Sequence, residues 1–268
     1  MQKPNYFPPG KRLAMAVHFP VEWWSKPAEN AQVQASRDYG IQVGASRLMD
    51  VFDRCGVRAT CHLNAMVAEL FPDLVRDMVR RGHDIAAHGY DQSNPQGDMT
   101  PEEDRATVRK ALAMIESVAG FRPRGWVATG RSIPTRSIEI LAEEGLMWHN
   151  HYDGSDLPRI VDIGGRRIVD CPTTAHLHYG DLRMISGRPG DSPMSCGELF
   201  AFFKSQIDAL RGAAQYEPLC FQFGAHAYVS GRPAYAYVVE QMIRYASSFE
   251  DVWWTTTGEL AELCLKQG

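Results

Sequence analysis

Strand-type and helix-type segments take turns along this 268-residue chain, and that alternation narrows the fold more than any single motif. Residues 13–19 (LAMAVHF) form a β-type apolar run. Residues 40–54 place Val43, Leu48, Val51 and Phe52 on one helical face. Residues 57–64 predict a second strand. Residues 71–82 predict a helix carrying Phe71, Leu74, Val75, Met78 and Val79, with Gly82 as its stop. The strand DIAAH follows at 84–88. Thr100, Pro101 and Glu103 make a capping box with proline in the first turn, so a helix runs on to Gly120. The second half keeps the rhythm. Strands are expected at 124–129, 146–152, 166–172, 219–226 and 251–255. Helices are expected at 135–145, from the capping box Ser195/Glu198 to about Ala213, after Pro233, and from Thr256/Glu259 to the end. Gly164–Gly165 reads as a hairpin turn between two β runs. Such an alternation calls for parallel strands with crossover helices, and a barrel is the economical closure at this length. No period of 20–50 residues and no low-complexity linker interrupts it, so one domain over residues 1–268 is expected.

Composition removes some functions. A net charge of −4 offers no basis for binding nucleic acid or an anionic membrane. No apolar run approaches the ~18 residues of a membrane span, and the N-terminal residues lack a secretory pattern. Six cysteines stand at 55, 61, 171, 196, 220 and 264, none in a CxxC pair. They are expected to be reduced and buried in a cytoplasmic protein; if one thiol is catalytic, Cys61 and Cys171 are the candidates.

Chemistry-bearing residues gather where the predicted strands end: Glu22, His88, Thr129-Gly130-Arg131, His151, His176 with His178, and His226. Parallel α/β barrels build their active sites on that rim. Glu22 precedes Trp23-Trp24, and a carboxylate beside aromatic rings is partly desolvated and a better base. His226 ends an apolar strand, where an imidazole can hand a proton to a departing amide nitrogen near neutral pH. Arg131 offers a fixed fork of donors for a carboxylate or an oxyanion. His149 and His151, like His176 and His178, read more readily as exposed loop histidines than as ligands.

With these residues in view, the chain resembles the polysaccharide deacetylase (NodB-homology) superfamily. The resemblance rests on GVRATCHLN (56–64), GHDIAAHGYDQSNP (82–95) and FGAHAYVSGRP (223–233). YGIQVGASRLMDVF and GWVATGRSIPTRSIEILAEEG are similar to the branch of metal-independent allantoinases and cyclic imide hydrolases. The resemblance implies a distorted, incomplete (β/α) barrel that hydrolyses C–N bonds of amides. Metal-holding members use a first-strand aspartate and two histidines spaced H-x3-H. Here the first histidine maps to His88 and the second to Gln92, while His18 and Pro20 occupy the first-strand acidic positions and leave Glu22 as the nearby carboxylate. Glutamine is a poor zinc ligand and proline has no donor. The chain also departs from the allantoinase pattern, with Tyr90-Asp91-Gln92 after His88 and Gln42 where that branch has arginine.

The expected site therefore has Glu22, His88, His226 and Arg131 as catalytic groups. Tyr90, Gln92, Trp126, Gly130, His176 and Asp181 are expected to bind substrate, with Tyr90 and Trp126 as pocket walls. No metal or other cofactor is expected, although adventitious or partial zinc at His88 is compatible with this set. The expected function is opening of a small cyclic imide, ureide or related amide by a cytoplasmic homo-oligomer, dimer or tetramer. Two alternatives stand beside it: a metal-dependent peptidoglycan or chito-oligosaccharide deacetylase, and a non-catalytic binding protein on the same barrel.

Overall fold

The computed structural model describes residues 7–129, 133–151, 154–172 and 194–267. Its organising strand is β1 (Leu13–Val21), buried at all nine positions. A strand can be apolar throughout only when both faces are covered. Here the two faces are covered differently. Leu13, Met15, Val17, Phe19 and Val21 join the main core with the helices, whereas Ala14 joins a second, inner cluster. Since side chains alternate along a strand, the inner face of β1 reads Ala14, Ala16, His18, Pro20, then Glu22 just past its end. It passes from small and apolar to polar as it nears the rim.

Eight strands lie in the order β6-β7-β5-β4-β3-β2-β1-β8. They are β2 (Ala59–Leu63), β3 (Asp84–Ala87), β4 (Gly125–Trp126), β5 (Trp148–His149), β6 (Arg159–Ile163), β7 (Arg166–Asp170) and β8 (Leu219–Gly224), with β1. All neighbouring pairs are parallel except the β6–β7 hairpin, which turns at Gly164–Gly165 as expected. The ninth strand, β9 (Val252–Trp254), pairs with the lower part of β1, while β2 pairs with its upper part. The sheet curls until its edges approach: Cys220 N–H donates to the Asp156 carbonyl at 3.0 Å. This curled half-barrel is the incomplete (β/α) barrel anticipated from the resemblance.

The helices are α1 (Ala31–Tyr39), α2 (Ala45–Cys55), α3 (Ala65–Leu70), α4 (Pro72–Arg80), α5 (Pro101–Ala119), α6 (Thr135–Glu143), α7 (Cys196–Ala214), α8 (Pro233–Ser247) and α9 (Thr257–Gln267). Both expected capping boxes on α5 and α7 form, and Gly120 closes α5 in the left-handed conformation. Three features depart from expectation. Residues 40–54 do not form one α-helix: a π-helix, Gly40–Gly44, joins α1 to α2. Helices α1 and α3 appear where none was expected; α1 buries no residue, so it carries no apolar stripe to read. Strands β4 and β5 keep only two residues each, because the chain leaves the sheet to build the rim.

Below the rim, polar side chains of the inner face satisfy one another. The Thr257 hydroxyl donates to Gln222 Oε1 at 3.2 Å, so its oxygen is left to accept from His18 Nε2–H at 2.9 Å. Gln222 Nε2 in turn donates to the Pro172 carbonyl at 2.7 Å. A buried polar group stripped of such a partner costs about 1–3 kcal/mol, so this chain of bonds fixes how α9 enters the barrel. No helix among the described residues is long and apolar enough to cross a membrane.

Candidate active site

Three loops meet at the rim, and backbone hydrogen bonds tie them together. Asn64, just after β2, accepts from Trp23 N–H at 2.9 Å and donates its amide to the His88 carbonyl. Trp23 then returns its carbonyl to Gln92 N–H at 2.9 Å. The chain reverses directly after His88 at Gly89, where φ is +66° and a Cβ would press on Thr129. Glycine at 89 is thus a geometric requirement of this turn.

The result is direct contact among Glu22, His88 and Gln92. Glu22 Oε1 accepts from Gln92 Nε2 at 2.7 Å and lies 3.3 Å from His88 Nε2. Both Glu22 and His88 side chains are about nine-tenths buried, at 10% and 8% exposure. The other ring nitrogen of His88, Nδ1, sits 2.9 Å from the Val127 carbonyl. A carbonyl only accepts, so Nδ1 carries a proton. In the neutral ring Nε2 then points a lone pair toward Glu22 Oε1.

His226 lies two residues beyond β8. Ala225 N–H donates to the His18 carbonyl and Ala227 N–H to the Pro20 carbonyl, so the β8–β1 pairing continues past His226 toward Glu22. By strand alternation His226 shares the inner face with Cys220 and Gln222. Beside it stands an aromatic wall. The Tyr228 ring is 5.7 Å from His226 and 5.8 Å from Trp24, and the Arg37 guanidinium lies 4.3 Å from the Trp24 ring.

Several expectations need correction. Trp126 is no pocket wall: it is fully buried in the helix-facing core, its indole N–H donating to Gln96 Oε1 at 2.8 Å. Tyr90 turns away from Glu22. Its hydroxyl donates to Glu69 at 2.5 Å, its ring lies 3.7 Å from Lys110 Nζ, and it lines a separate cavity of about 620 Å³ with Met66, Pro95 and Met99. His149 is fully buried rather than exposed, and its ring stacks on that of His151 at 5.6 Å. His151 accepts the Ala128 N–H on Nε2 at 3.0 Å. Desolvation, then the neighbouring His149 and His88, hold it well below the usual imidazole range, so it is neutral near pH 7. Cys61 and Cys171 are buried, and burial pushes both thiols far up, which removes them as nucleophiles. All six cysteines are free. Arg131, Gly130, His176 and Asp181 lie outside the described residues.

The described residues do not by themselves make a zinc site. Zinc needs three lone-pair donors from the protein. Gln92 instead spends its N–H on Glu22, and no three His, Cys, Asp or Glu side chains among the described residues are arranged to hold a metal. Asn64 and His151 were not singled out from the sequence as site residues. Asn64 is the last residue of the expected strand 57–64 and carries no signal beyond that. His151 does stand at a predicted strand end, which was the usable hint.

Residues 26–148 match the family model described as polysaccharide deacetylase. A peptidoglycan deacetylase of Helicobacter pylori is 24% identical over 255 residues, spanning 84% of this chain and 85% of that protein. A structure from Pseudomonas aeruginosa PAO1 assigned to the polysaccharide deacetylases superposes with a TM-score of 0.87 at 24% identity, over 98% of this chain and 94% of the other. The PuuE allantoinase structure superposes with a TM-score of 0.85 at 25% identity, over 96% of this chain and 92% of the other. The chain is thus similar in sequence to polysaccharide deacetylases over residues 26–148, and along most of its length it shares the fold of these deacetylase and allantoinase structures.

Proposed function

We propose that this chain hydrolyses a non-peptide C–N bond, opening a small cyclic imide, ureide or related amide with protein groups in place of a bound cation. The observation that carries the reading is the Gln92–Glu22 hydrogen bond: the position that supplies a second histidine ligand in metal-holding relatives instead fastens the carboxylate. With a neutral imidazole facing the ionised carboxylate at 3.3 Å, two lone pairs oppose each other. A proton taken from water relieves that opposition, so Glu22 with His88 acts as the general base. The hydroxide oxygen adds to the carbonyl carbon, the C=O electrons move to oxygen, and His226 delivers a proton to the nitrogen as the C–N bond breaks. Arg131 is assigned to the developing oxyanion, where a fixed donor supplies several kcal/mol of stabilisation. The rings of Trp24 and Tyr228 meet edge to face, at 81°, and form an aromatic corner against which a small ring can pack.

The name of the Helicobacter pylori relative favours a second reading, deacetylation of an N-acetylated sugar. One experiment separates them. Protein purified without chelator is analysed for metal, then assayed by ultraviolet absorbance on succinimide, hydantoin and allantoin and for acetate release from chito-oligosaccharides. The proposal expects ring opening with zinc well below one per chain. Stoichiometric zinc with acetate release defeats it. No turnover on any substrate favours a binding protein and defeats it equally.

A further inference from the structure

Two glycines stand four apart in YGIQVGASR, within a helical segment where glycine weakens the helix. Neither is there for its backbone freedom. Gly40 has φ −54° and ψ −45°, and Gly44 has φ −65° and ψ −41°, ordinary right-handed values open to any residue. What both need is space. A Cβ on Gly40 would stand 2.9 Å from the Tyr228 backbone nitrogen and Cβ. A Cβ on Gly44 would run into the Ala227 carbonyl oxygen, and one on Gly231 would run into that oxygen and into Gly44 itself. The three glycines let two backbones meet with nothing between them.

The segment they belong to is the π-helix Gly40–Gly44, where Ala45 N–H reaches back to the Gly40 carbonyl. Such turns are rare and cluster at functional sites. The backbone they press upon is residues 227–231, which directly follow His226. On its other side this loop is bonded to β1 through Ala225 and Ala227, at 2.8 and 3.1 Å. Within the loop, Val229 and Ser230 N–H both donate to the His226 carbonyl, at 3.1 and 2.8 Å. Beyond it, the Gly231 carbonyl accepts from Arg47 Nη1 at 2.6 Å and from the Tyr39 hydroxyl at 3.3 Å, and Arg232 lies 3.8 Å from the Tyr39 ring. The loop is wedged between β1 and the π-helix, with residues from both ends of that helical segment holding its far end.

We propose that Gly40 and Gly44 are positioning residues for His226, fixing through backbone-to-backbone packing where its imidazole and the Tyr228 ring stand. The inference rests on the reading of His226 as the proton donor, and its test separates the two. Histidine-selective 15N NMR of the full chain reports the His226 ring directly, while ring opening of succinimide, hydantoin and allantoin reports turnover. Gly44→Ala is expected to shift the His226 ring signals and leave those of His83, beside Phe52 at the other end of α2, in place. The same variant is expected to lower kcat by about tenfold to a hundredfold, the scale of a small misplacement, with little change in KM. Should Gly44→Ala fail to fold, Gly40→Ala imposes the milder 2.9 Å contact and is read in the same way. Gly212→Ala in α7, where nothing lies within 4 Å, is expected to move neither signal nor rate. Unshifted His226 signals in the folded variant overturn the inference whatever the rate does. Shifted signals with unchanged turnover sustain it and remove His226 from the chemistry.

Discussion

The two flanks of the barrel mouth are held by different means. On the β3 side, the Glu22–His88–Gln92 cluster hangs on discrete hydrogen bonds through Asn64, the Trp23 backbone and the Val127 carbonyl. On the β8 side, Tyr228 and the loop behind His226 have hydrogen bonds as well, but are in addition pinned by close packing of glycines. A hydrogen-bonded flank can lose one contact and keep the rest, so damage there is graded. A packed flank has no such reserve, because its tolerance is set by repulsion that rises within tenths of an ångström. His226, the proposed proton donor, therefore stands on the flank that yields least. Glu22 with His88, the proposed base, stands on the one that can adjust.

The largest expected effect tests the packed flank. His226→Ala should lower kcat by about 10³- to 10⁴-fold, toward the upper range for a lost general acid, with an unchanged circular dichroism spectrum. Near-normal turnover of the folded variant would leave that flank with no chemical task. The next tests the β3–β5 side by pH. Burial, with the Arg159 charge behind it, holds His149 down at about 4, against about 6.5 for an unfolded imidazole. Asp170, 3.8 Å from His149, does little to oppose this because Arg159 already occupies it at 3.1 Å. Between those pH values the unfolded chain binds a proton that the folded chain refuses. Stability should thus fall by about 3 kcal/mol as pH drops from about 6.5 to about 4 and be level above that window. Urea midpoints across pH measure it, and His149→Gln should flatten the acid limb. A flat wild-type profile would show that this side tolerates charge. Asn64→Ala comes third: it should cost about 1–3 kcal/mol in urea unfolding and about tenfold in kcat. A loss as deep as that of His226→Ala would erase the contrast between the flanks. Tyr90→Phe is the smallest, changing kcat by less than about twofold, because the hydroxyl serves Glu69 away from the mouth; a large loss would bring the neighbouring cavity into the reaction.

Much of this was legible in the residues. Capping boxes at Thr100 and Ser195 announced α5 and α7, and Gly164–Gly165 announced the hairpin, because each is a local requirement met by local sequence. Glu22 and His88 stood out at strand ends and Gln92 through the family resemblance, but their contact is a finding of the structure. What stayed hidden depends on partners far along the chain. Trp126 looked like a wall residue because its burial is decided by α5 and the 96–98 turn, not by its neighbours in sequence. Asn64 bridges two loops that sequence cannot show to be adjacent. The glycine pair at 40 and 44 was visible as letters, but its meaning lies more than 180 residues away.

The lower part of β1 borders β8 on one side and β9 on the other. During synthesis this first strand therefore emerges long before either partner exists. Residues 13–15 must wait some 200 residues for both their neighbours, so the sheet is completed only after most of the chain has left the ribosome. Until then a largely apolar strand is uncovered, and a chaperone that shields the nascent segment around residues 13–21 should raise the yield of folded protein more than one acting on the finished chain.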